Sequence, residues 1–248
     1  MEDPLAEPTP PGLPPERAAP PLSPLAAVGW SAATFVAFLA AQLAAIVVLQ
    51  LLTAPAPGLA LAVATLAGAP AGLLVIAAAL RRRPGAVIRS ELGLVLPRKP
   101  RLSSVLAAAA ALAAFTVAYE ALSRRLGRPV VPEFMLSAYR TAGWLPALYL
   151  GVVVAAPVFE ELLFRGLLLS GLRRSPLGPP GAALLTAAAF ALPHVQYDLY
   201  DVAAVFVLGV FLAAVRLRTG STLLTIALHA AGNLVALIEV ARQIGRGG

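Results

Sequence analysis

Seven long runs of predominantly apolar residues constrain the fold of this chain more than any other feature of its sequence. Because lipid offers no hydrogen-bond partner to backbone N–H and C=O groups, such runs cross a membrane only as helices or as a closed barrel. Runs of about 20 residues match a membrane-spanning helix, whereas barrel strands would be alternating segments of roughly ten residues, a pattern the sequence lacks. The sequence therefore predicts an all-α, polytopic bundle of transmembrane helices. The runs lie at residues 27–52, 59–80, 102–122, 145–171, 181–197, 200–215 and 221–240.

The composition excludes an ordinary soluble domain. Hydrophobic residues make up 59% of the 248 residues, charged residues only 12%, and the mean hydropathy is +0.84. The formal net charge is +7, but the basic residues stand in short clusters between the apolar runs. This distribution indicates contact with membrane lipids and not with nucleic acid. The chain has no cysteine, so disulfides and thiolate metal sites are excluded.

Three regions follow one another along the chain. Residues 1–25 are so rich in proline that they are predicted to form a disordered cytoplasmic tail. Residues 26–144 are predicted to hold the N-terminal transmembrane helices and loops, and residues 145–248 the transmembrane helices that carry the chemistry. The first run is longer than the core of a signal peptide and is interpreted as a retained helix. Pro193 predicts a kink or an early end in the fifth run.

The distribution of basic residues predicts which side of the membrane each loop faces. Loop 81–101 is the most basic in the chain and is expected in the cytoplasm under the positive-inside rule. Alternation then puts the N-terminus in the cytoplasm, in a multi-pass protein of the plasma membrane. The basic segment 123–144 contradicts this alternation, since it falls on the outer side. It is interpreted either as an interfacial helix or as an eighth membrane element, so seven to eight spans are predicted.

Three charged residues interrupt the fourth apolar run, in the stretch FEELLFRG at residues 159–166. A charge at the centre of a bilayer costs about 2.5–3.5 kcal/mol on insertion scales, so three unpaired ones would strongly oppose insertion. Glu161 and Arg165 are four residues apart on one helix face and are predicted to form an ion pair. Glu160 points about 100° away around the helix and is a candidate general base. The alternative is that all three charges only tie helices together or mark the end of the span near Arg173.

The two histidines and the single asparagine of the chain all lie in the later apolar runs. His194 follows Phe190 by four residues, and Asn233 follows His229 by four, so each pair is predicted to share a helix face. Counted from the neighbouring arginine clusters, Glu160 and His229 reach similar depths in the membrane. These polar groups are therefore predicted to converge on one cavity that opens in the cytoplasmic half. Read singly, His194 is better explained by a structural hydrogen bond than by catalysis, and the pair of His229 and Asn233 is equally well explained by a hydrogen bond between helices.

Such a set of residues can hydrolyse a peptide bond without a metal or a cofactor. A glutamate beside a histidine can hold and deprotonate a water molecule, while a second histidine and an amide can donate hydrogen bonds to an oxyanion. Two histidines and a glutamate can also ligate zinc. However, the H-E-x-x-H motif is absent from the sequence, and zinc would leave Asn233 without a role. No metal is therefore expected.

Three motifs occur in order on successive apolar runs: E-E-x-x-x-R, then F-x-x-x-H, then H-x-x-x-N. In this order and spacing they resemble the CAAX prenyl endopeptidase and bacteriocin-processing family, the intramembrane glutamic proteases also known as Abi proteins. The resemblance covers about residues 145–240, and the earlier part of the chain resembles the family only in its hydrophobic helices. The matching residues are Glu160, Glu161, Arg165, Phe190, His194, His229 and Asn233.

The resemblance implies a role for each of these residues. Glu160 is expected to activate water together with His194, and His229 is expected to form the oxyanion hole with Asn233. The implied substrate is a peptide or protein, such as a CAAX-like, bacteriocin-like or membrane-protein segment. Two alternatives stay open, namely a scaffold or immunity protein of the same fold and a proton-coupled transporter. Structural support of the site is expected from Glu161, Arg165 and Phe190.

Overall fold

The computed structural model of the protein describes residues 21–81, 85–97 and 102–246. Among these residues the chain forms nine helices and no strand. Residues 1–20 of the predicted disordered tail lie outside the described residues, and the first helix begins at Pro24 with Ser23 as its N-cap. The helices are α1 (Pro24–Leu52), α2 (Pro57–Leu80), α3 (Gly85–Leu92), α4 (Leu102–Arg125), α5 (Glu133–Arg140), α6 (Leu145–Leu172), α7 (Gly178–Ala191), α8 (Leu199–Thr219) and α9 (Thr222–Arg246).

Six of these nine helices are long and apolar enough to cross a membrane, namely α1, α2, α4, α6, α8 and α9. The prediction of an all-α, polytopic helix bundle is therefore confirmed, and the protein is an integral membrane protein. The fifth apolar run instead forms α7, whose 14 residues span only about 21 Å of a hydrocarbon core about 30 Å thick. As predicted, α7 ends early: Leu192 still has helical backbone angles, but Pro193 after it has no N–H with which to continue the helical hydrogen bonds.

The basic segment between α4 and α6 contains the short helix α5. Its eight residues are too few to cross a membrane, so α5 is not an eighth span. It lies instead against α2 and α9, with the side chains of Met135 and Leu136 buried. Gly58 permits this contact, because a Cβ at that position would lie 1.9 Å from the backbone oxygen of Ala138. The segment that contradicted the predicted alternation is therefore a short helix packed on the bundle.

Residues 85–97 close one end of the bundle, which we call the sealed end. This 85–97 segment consists of α3 and the residues after it, and its backbone oxygens accept hydrogen bonds from α6, α8 and the start of α9. The side chain of Leu92 also packs into the main apolar core. The bonds run from Ser170 to Glu91 (2.8 Å), from Arg216 to Glu91 (3.2 Å), from Thr222 to Gly93 (2.8 Å) and from Ser221 to Val95 (2.6 Å).

Close packing of α1 and α2 fixes the position of α6. Gly72 of α2 lies against the ring of Phe159 in α6, and a Cβ on Gly72 would approach that ring to 2.2 Å. The same ring stacks on Phe38 of α1, with centroids 4.2 Å apart and planes inclined by 12°. Phe159 is the residue directly before the two glutamates, so these contacts hold the part of α6 that carries the charges.

Candidate active site

The helix that carries the two glutamates is not a regular α-helix. In α6, π-helical segments at Leu150–Ala155 and Leu162–Leu168 enclose the α-helical stretch Ala156–Glu161. Pro157 accounts for the first π segment, since a proline has no N–H and its ring clashes with the carbonyl four residues earlier. Wide turns of this kind are frequent at functional sites. Apolar periodicity predicts neither segment, although Pro157 is a visible signal for the first.

The predicted ion pair between Glu161 and Arg165 is present and fully buried. Nη1 of Arg165 donates to Oε1 of Glu161 at 2.8 Å, and neither side chain has exposed surface. Nη2 of Arg165 donates to the backbone oxygen of Gly209 in α8 at 3.0 Å. The guanidinium also lies over the ring of Phe190 in α7, 4.5 Å from its centroid. The pair therefore connects α6 with two neighbouring helices.

Glu161 makes a second contact that the sequence did not predict. Nδ1 of His229, on α9, lies 2.9 Å from the same oxygen, Oε1, that binds Arg165. Because an ionised carboxylate only accepts hydrogen bonds, His229 donates from Nδ1, and its Nε2 lies 3.7 Å from Oε2 of Glu160. Glu161 thus orients His229 and neutralises Arg165 with one atom. No spacing in the sequence links these two helices, and only their similar predicted depth pointed to the contact.

The two adjacent glutamates face different surroundings, in agreement with their predicted angular separation. Glu161 is completely buried, whereas the side chain of Glu160 is 19% exposed and lines a cavity inside the bundle. Glu160 is therefore the carboxylate of the two that water or a substrate can reach.

The sequence predicts His194 inside the fifth span, but the residue lies in the turn after α7. Pro193 is the reason for this difference, since the helix ends before it. Nδ1 of His194 lies 2.9 Å from the backbone oxygen of Phe190. A carbonyl only accepts, so Nδ1 donates and Nε2 of the neutral ring is left as an acceptor. Tyr197, which the sequence analysis did not single out, stacks on the imidazole with centroids 6.0 Å apart.

Asn233 connects α9 with the first π-helical segment of α6. Its Nδ2 atom donates to the backbone oxygen of Val152 at 2.8 Å. A π turn displaces carbonyl groups from the regular helical ladder, and here the oxygen of Val152 finds a partner on a neighbouring helix. One amide hydrogen of Asn233 is used in this bond, and the second is available to a molecule in the cavity.

Glu160, His194, His229 and Asn233 all line one cavity of about 1070 Å³. The remainder of the wall is mainly apolar and comes from every helix except α3. Among the described residues no hydrogen bond joins Glu160 to His194, so the two groups can cooperate only through a molecule that lies in the cavity. The four polar groups that the sequence singled out are therefore neighbours in space.

The cavity extends to the end of the bundle opposite to the sealed end. Pro132, Tyr197 and Arg242 line its outer part, at the end where α4 and α9 finish and α6 and α8 begin. We call this the open end. None of the described residues of the 85–97 segment lines the cavity. The prediction that the cavity opens in the cytoplasmic half is therefore incompatible with a cytoplasmic position of loop 81–101.

The polar groups of the site suit hydrogen bonding and proton transfer. Within residues 21–81, 85–97 and 102–246, no three His, Cys, Asp or Glu side chains come together in a way that could hold a metal ion. Nδ1 is engaged in both histidines, by a carboxylate in one and by a backbone carbonyl in the other. The polar groups of the site that face the cavity are therefore one carboxylate, two Nε2 atoms and one amide.

Comparison with known proteins agrees with the resemblance seen in the motifs. Residues 142–235 match the family described as type II CAAX prenyl endopeptidase Rce1-like, which confirms the resemblance for that part of the chain and supports the protease class. An Escherichia coli protein called "Uncharacterized 24.3 kDa protein" is 33% identical over 91 residues, which are 36% of this chain and 42% of that protein. The chain thus spans less than half the length of this curated relative. No solved structure matches the chain significantly.

Proposed function

We propose that this protein, through its Rce1-like region at residues 142–235, is an intramembrane endopeptidase that hydrolyses a peptide bond with activated water. The family match supports a membrane protease. The observation that carries the mechanism is the convergence of Glu160, His194, His229 and Asn233 on one cavity. Between them these residues offer a base, a water-binding group and oxyanion donors, so the reaction requires neither a metal nor a cofactor.

Glu160 is the general base of the proposed reaction. Its carboxylate takes a proton from a water molecule that His194 holds through the acceptor atom Nε2. The water oxygen attacks the carbonyl carbon of the peptide bond, and an electron pair of the C=O bond moves to the carbonyl oxygen. The electron pair on the oxyanion then re-forms the C=O bond and the C–N bond breaks, while Glu160 gives the proton to the leaving nitrogen, which produces a new carboxyl terminus and a free amine. General acid–base catalysis of this kind contributes typically about 10²–10⁴-fold.

His229 and Asn233 stabilise the negative charge on the carbonyl oxygen. Because His229 already donates from Nδ1 to Glu161, it donates from Nε2 only when both ring nitrogens carry a proton. The carboxylate of Glu161 offsets the charge of that form, which gives this residue a part in the reaction beyond holding Arg165. Asn233 contributes the amide hydrogen that Val152 does not use. Each donor of an oxyanion hole is worth about 2.7–4 kcal/mol in the transition state.

The substrate is a peptide or protein segment that enters the membrane-embedded cavity. CAAX-like, bacteriocin-like and membrane-protein segments are the candidates, and the mainly apolar wall favours apolar side chains next to the cleaved bond. The protein works in the plasma membrane, among lipids, with its N-terminus in the cytoplasm.

Cleavage of peptide libraries tests the proposal. The purified protein in detergent is incubated with proteome-derived and farnesylated peptides, with and without a chelator, and the products are identified by mass spectrometry. We expect cleavage that resists the chelator and is lost in Glu160→Gln and in His194→Ala. Glu133→Gln is the matched control, because Glu133 is 80% exposed on α5 and should leave cleavage unchanged.

Three outcomes would contradict the proposal in different ways. Loss of activity with chelator and its return with zinc would replace the metal-free mechanism by a metal-dependent one. Equal activity in wild type and Glu160→Gln would remove Glu160 as the base. The absence of cleavage for every peptide, with a cellular phenotype that Glu160→Gln preserves, would favour a scaffold over a protease.

A further inference from the structure

Within the part of the chain that the structure describes, the cavity has no entrance at the sealed end. Hydrogen bonds hold the 85–97 segment across α6, α8 and α9 there, and Arg216 beneath it is only 4% exposed. A Cβ on Gly93 would lie 2.5 Å from the guanidinium carbon of Arg216, so backbone and side chain are in close contact. On α6, Leu163 and Leu167 are 1% and 2% exposed. Their side chains fill the interior of the bundle between this end and the level of Glu160.

The open end provides a path to the cavity that polar side chains border. Gln196 and Tyr197 line it from the turn after α7, while Glu239 and Arg242 line it from the last turns of α9. Glu239 and Arg242 form an ion pair at 3.7 Å in which both side chains remain partly exposed. Polar groups at the outside and apolar walls deeper inside fit a cavity that a substrate enters from water at this end.

Basic residues are concentrated in the stretches of sequence that join the helices at the sealed end. Loop 81–101 contains seven of them, and the pairs at 173–174 and at 216 and 218 lie at the same end. The open end carries six, in segment 123–144 and at the end of α9. The positive-inside rule counts Lys and Arg in short loops, and it therefore assigns the sealed end to the cytoplasm.

We propose that the cavity opens on the extracytoplasmic side of the membrane and that the protein cleaves peptide segments exposed on that side. The substrates are then exported peptides or the extracytoplasmic loops of membrane proteins, and not segments in the cytoplasm. Cleavage rests on the proposed function, whereas the side of the opening rests on the position of the cavity and on the charges alone.

Cysteine labelling tests the side of the opening without any need for activity. Because the chain has no cysteine, single variants can be labelled with a membrane-impermeant maleimide in intact and in permeabilised cells. Gln196→Cys and Ala236→Cys report on the cavity, which both residues line. Leu126→Cys reports on the loop at the open end, and Leu177→Cys on the loop at the sealed end. Both reporter side chains are well exposed, at 57% and 50%.

We expect Gln196→Cys, Ala236→Cys and Leu126→Cys to be labelled in intact cells, and Leu177→Cys only after permeabilisation. The same pattern is expected in a Glu160→Gln background, so a failure of the proposed protease activity would not disturb it. Labelling of both cavity positions only after permeabilisation would overturn the proposal, and so would labelling of Leu177→Cys in intact cells. Two cavity positions are used so that misfolding of one variant leaves the other to decide.

Discussion

His229 and Glu161 are 68 positions apart in the chain, yet Nδ1 of His229 donates to Oε1 of Glu161 at 2.9 Å. The same oxygen accepts from Nη1 of Arg165 at 2.8 Å, so one buried carboxylate serves a histidine that faces the cavity and an arginine that does not. Taking charges out of water is costly, and a buried pair that loses one partner leaves an uncompensated charge. This network therefore links the stability of the bundle to the geometry of the site.

Removal of the Glu161 charge should destabilise the protein strongly. We expect Glu161→Gln to cost about 3–5 kcal/mol, because the charge of Arg165 is then buried without its partner. Thermal unfolding of the purified protein in detergent measures the loss. The double variant Glu161→Leu/Arg165→Met should be less affected than Glu161→Gln, since it buries no charge. A double variant that is at least as unstable as the single one would show that the charge itself is not the cause.

Loss of the Asn233 amide should reduce turnover more than stability. We expect kcat of Asn233→Ala to fall by about 10²–10³-fold with little change in KM, as for the removal of an oxyanion donor. The broken hydrogen bond to Val152 should cost only about 1 kcal/mol of stability. Steady-state kinetics on a cleaved peptide, with the unfolding temperature recorded for each sample, separates the two effects. Normal kcat in a folded variant would limit Asn233 to holding α9 against α6.

A methyl group at Gly72 should disturb the packing behind the glutamates. Its Cβ would lie 2.2 Å from the ring of Phe159, which cannot move away because it stacks on Phe38. We expect Gly72→Ala to cost about 1–3 kcal/mol, as overpacking typically does. Gly29→Ala is the control, because no atom lies within 4 Å of a Cβ there. Because Gly29 lies inside α1, that change should stabilise by roughly 0.5–1 kcal/mol, and equal effects at both positions would refute the packing argument.

Asp198 at the open end should make stability depend on pH. Its side chain accepts a hydrogen bond from the backbone N–H of Asp201, and this bond, aided by the charge of Arg128, holds the pKa of Asp198 below its usual value of 3.8. A lowered pKa means that the carboxylate stabilises the fold fully above about pH 4 and loses that effect as the pH falls through the lowered value.

We therefore expect Asp198→Ala to lower the unfolding temperature at pH 7, and the difference from wild type to shrink as the pH falls below 4. At pH 7 the unfolding temperature of Asp198→Asn should lie between those of wild type and Asp198→Ala. An asparagine can cap α8 but cannot form the ion pair with Arg128. Unfolding temperatures measured from pH 7 to pH 3 test this. A difference that stays constant over that range would exclude titration of Asp198 as its source.

Much of the fold and of the site could be predicted because each rests on local sequence signals. Apolar runs long enough to cross a bilayer identified the six long helices, and Pro193 indicated the early end of α7. The spacing of four residues between Glu161 and Arg165 was sufficient for their ion pair. The roles of Glu160, His194, His229 and Asn233 in catalysis stay predictions.

Contacts between distant segments could not be predicted. The bond from His229 to Glu161 depends on how α9 is rotated against α6, which periodicity does not specify. The bond from Asn233 to Val152 depends on a π turn, which shifts the phase of α6 by a fraction of a turn. The end at which the cavity opens depends on where the 85–97 segment packs, whereas depths counted from the arginine clusters suggested the cytoplasmic half.

The closure of one end by the 85–97 segment also limits how a polypeptide can be handled. Because that end is closed, a chain held in the cavity cannot leave through it to the other side of the membrane, so the protein cannot pass a polypeptide across the bilayer while cutting it. A segment that enters at the open end must therefore enter as a free end or as a tight bend, and its products leave on the side from which it came.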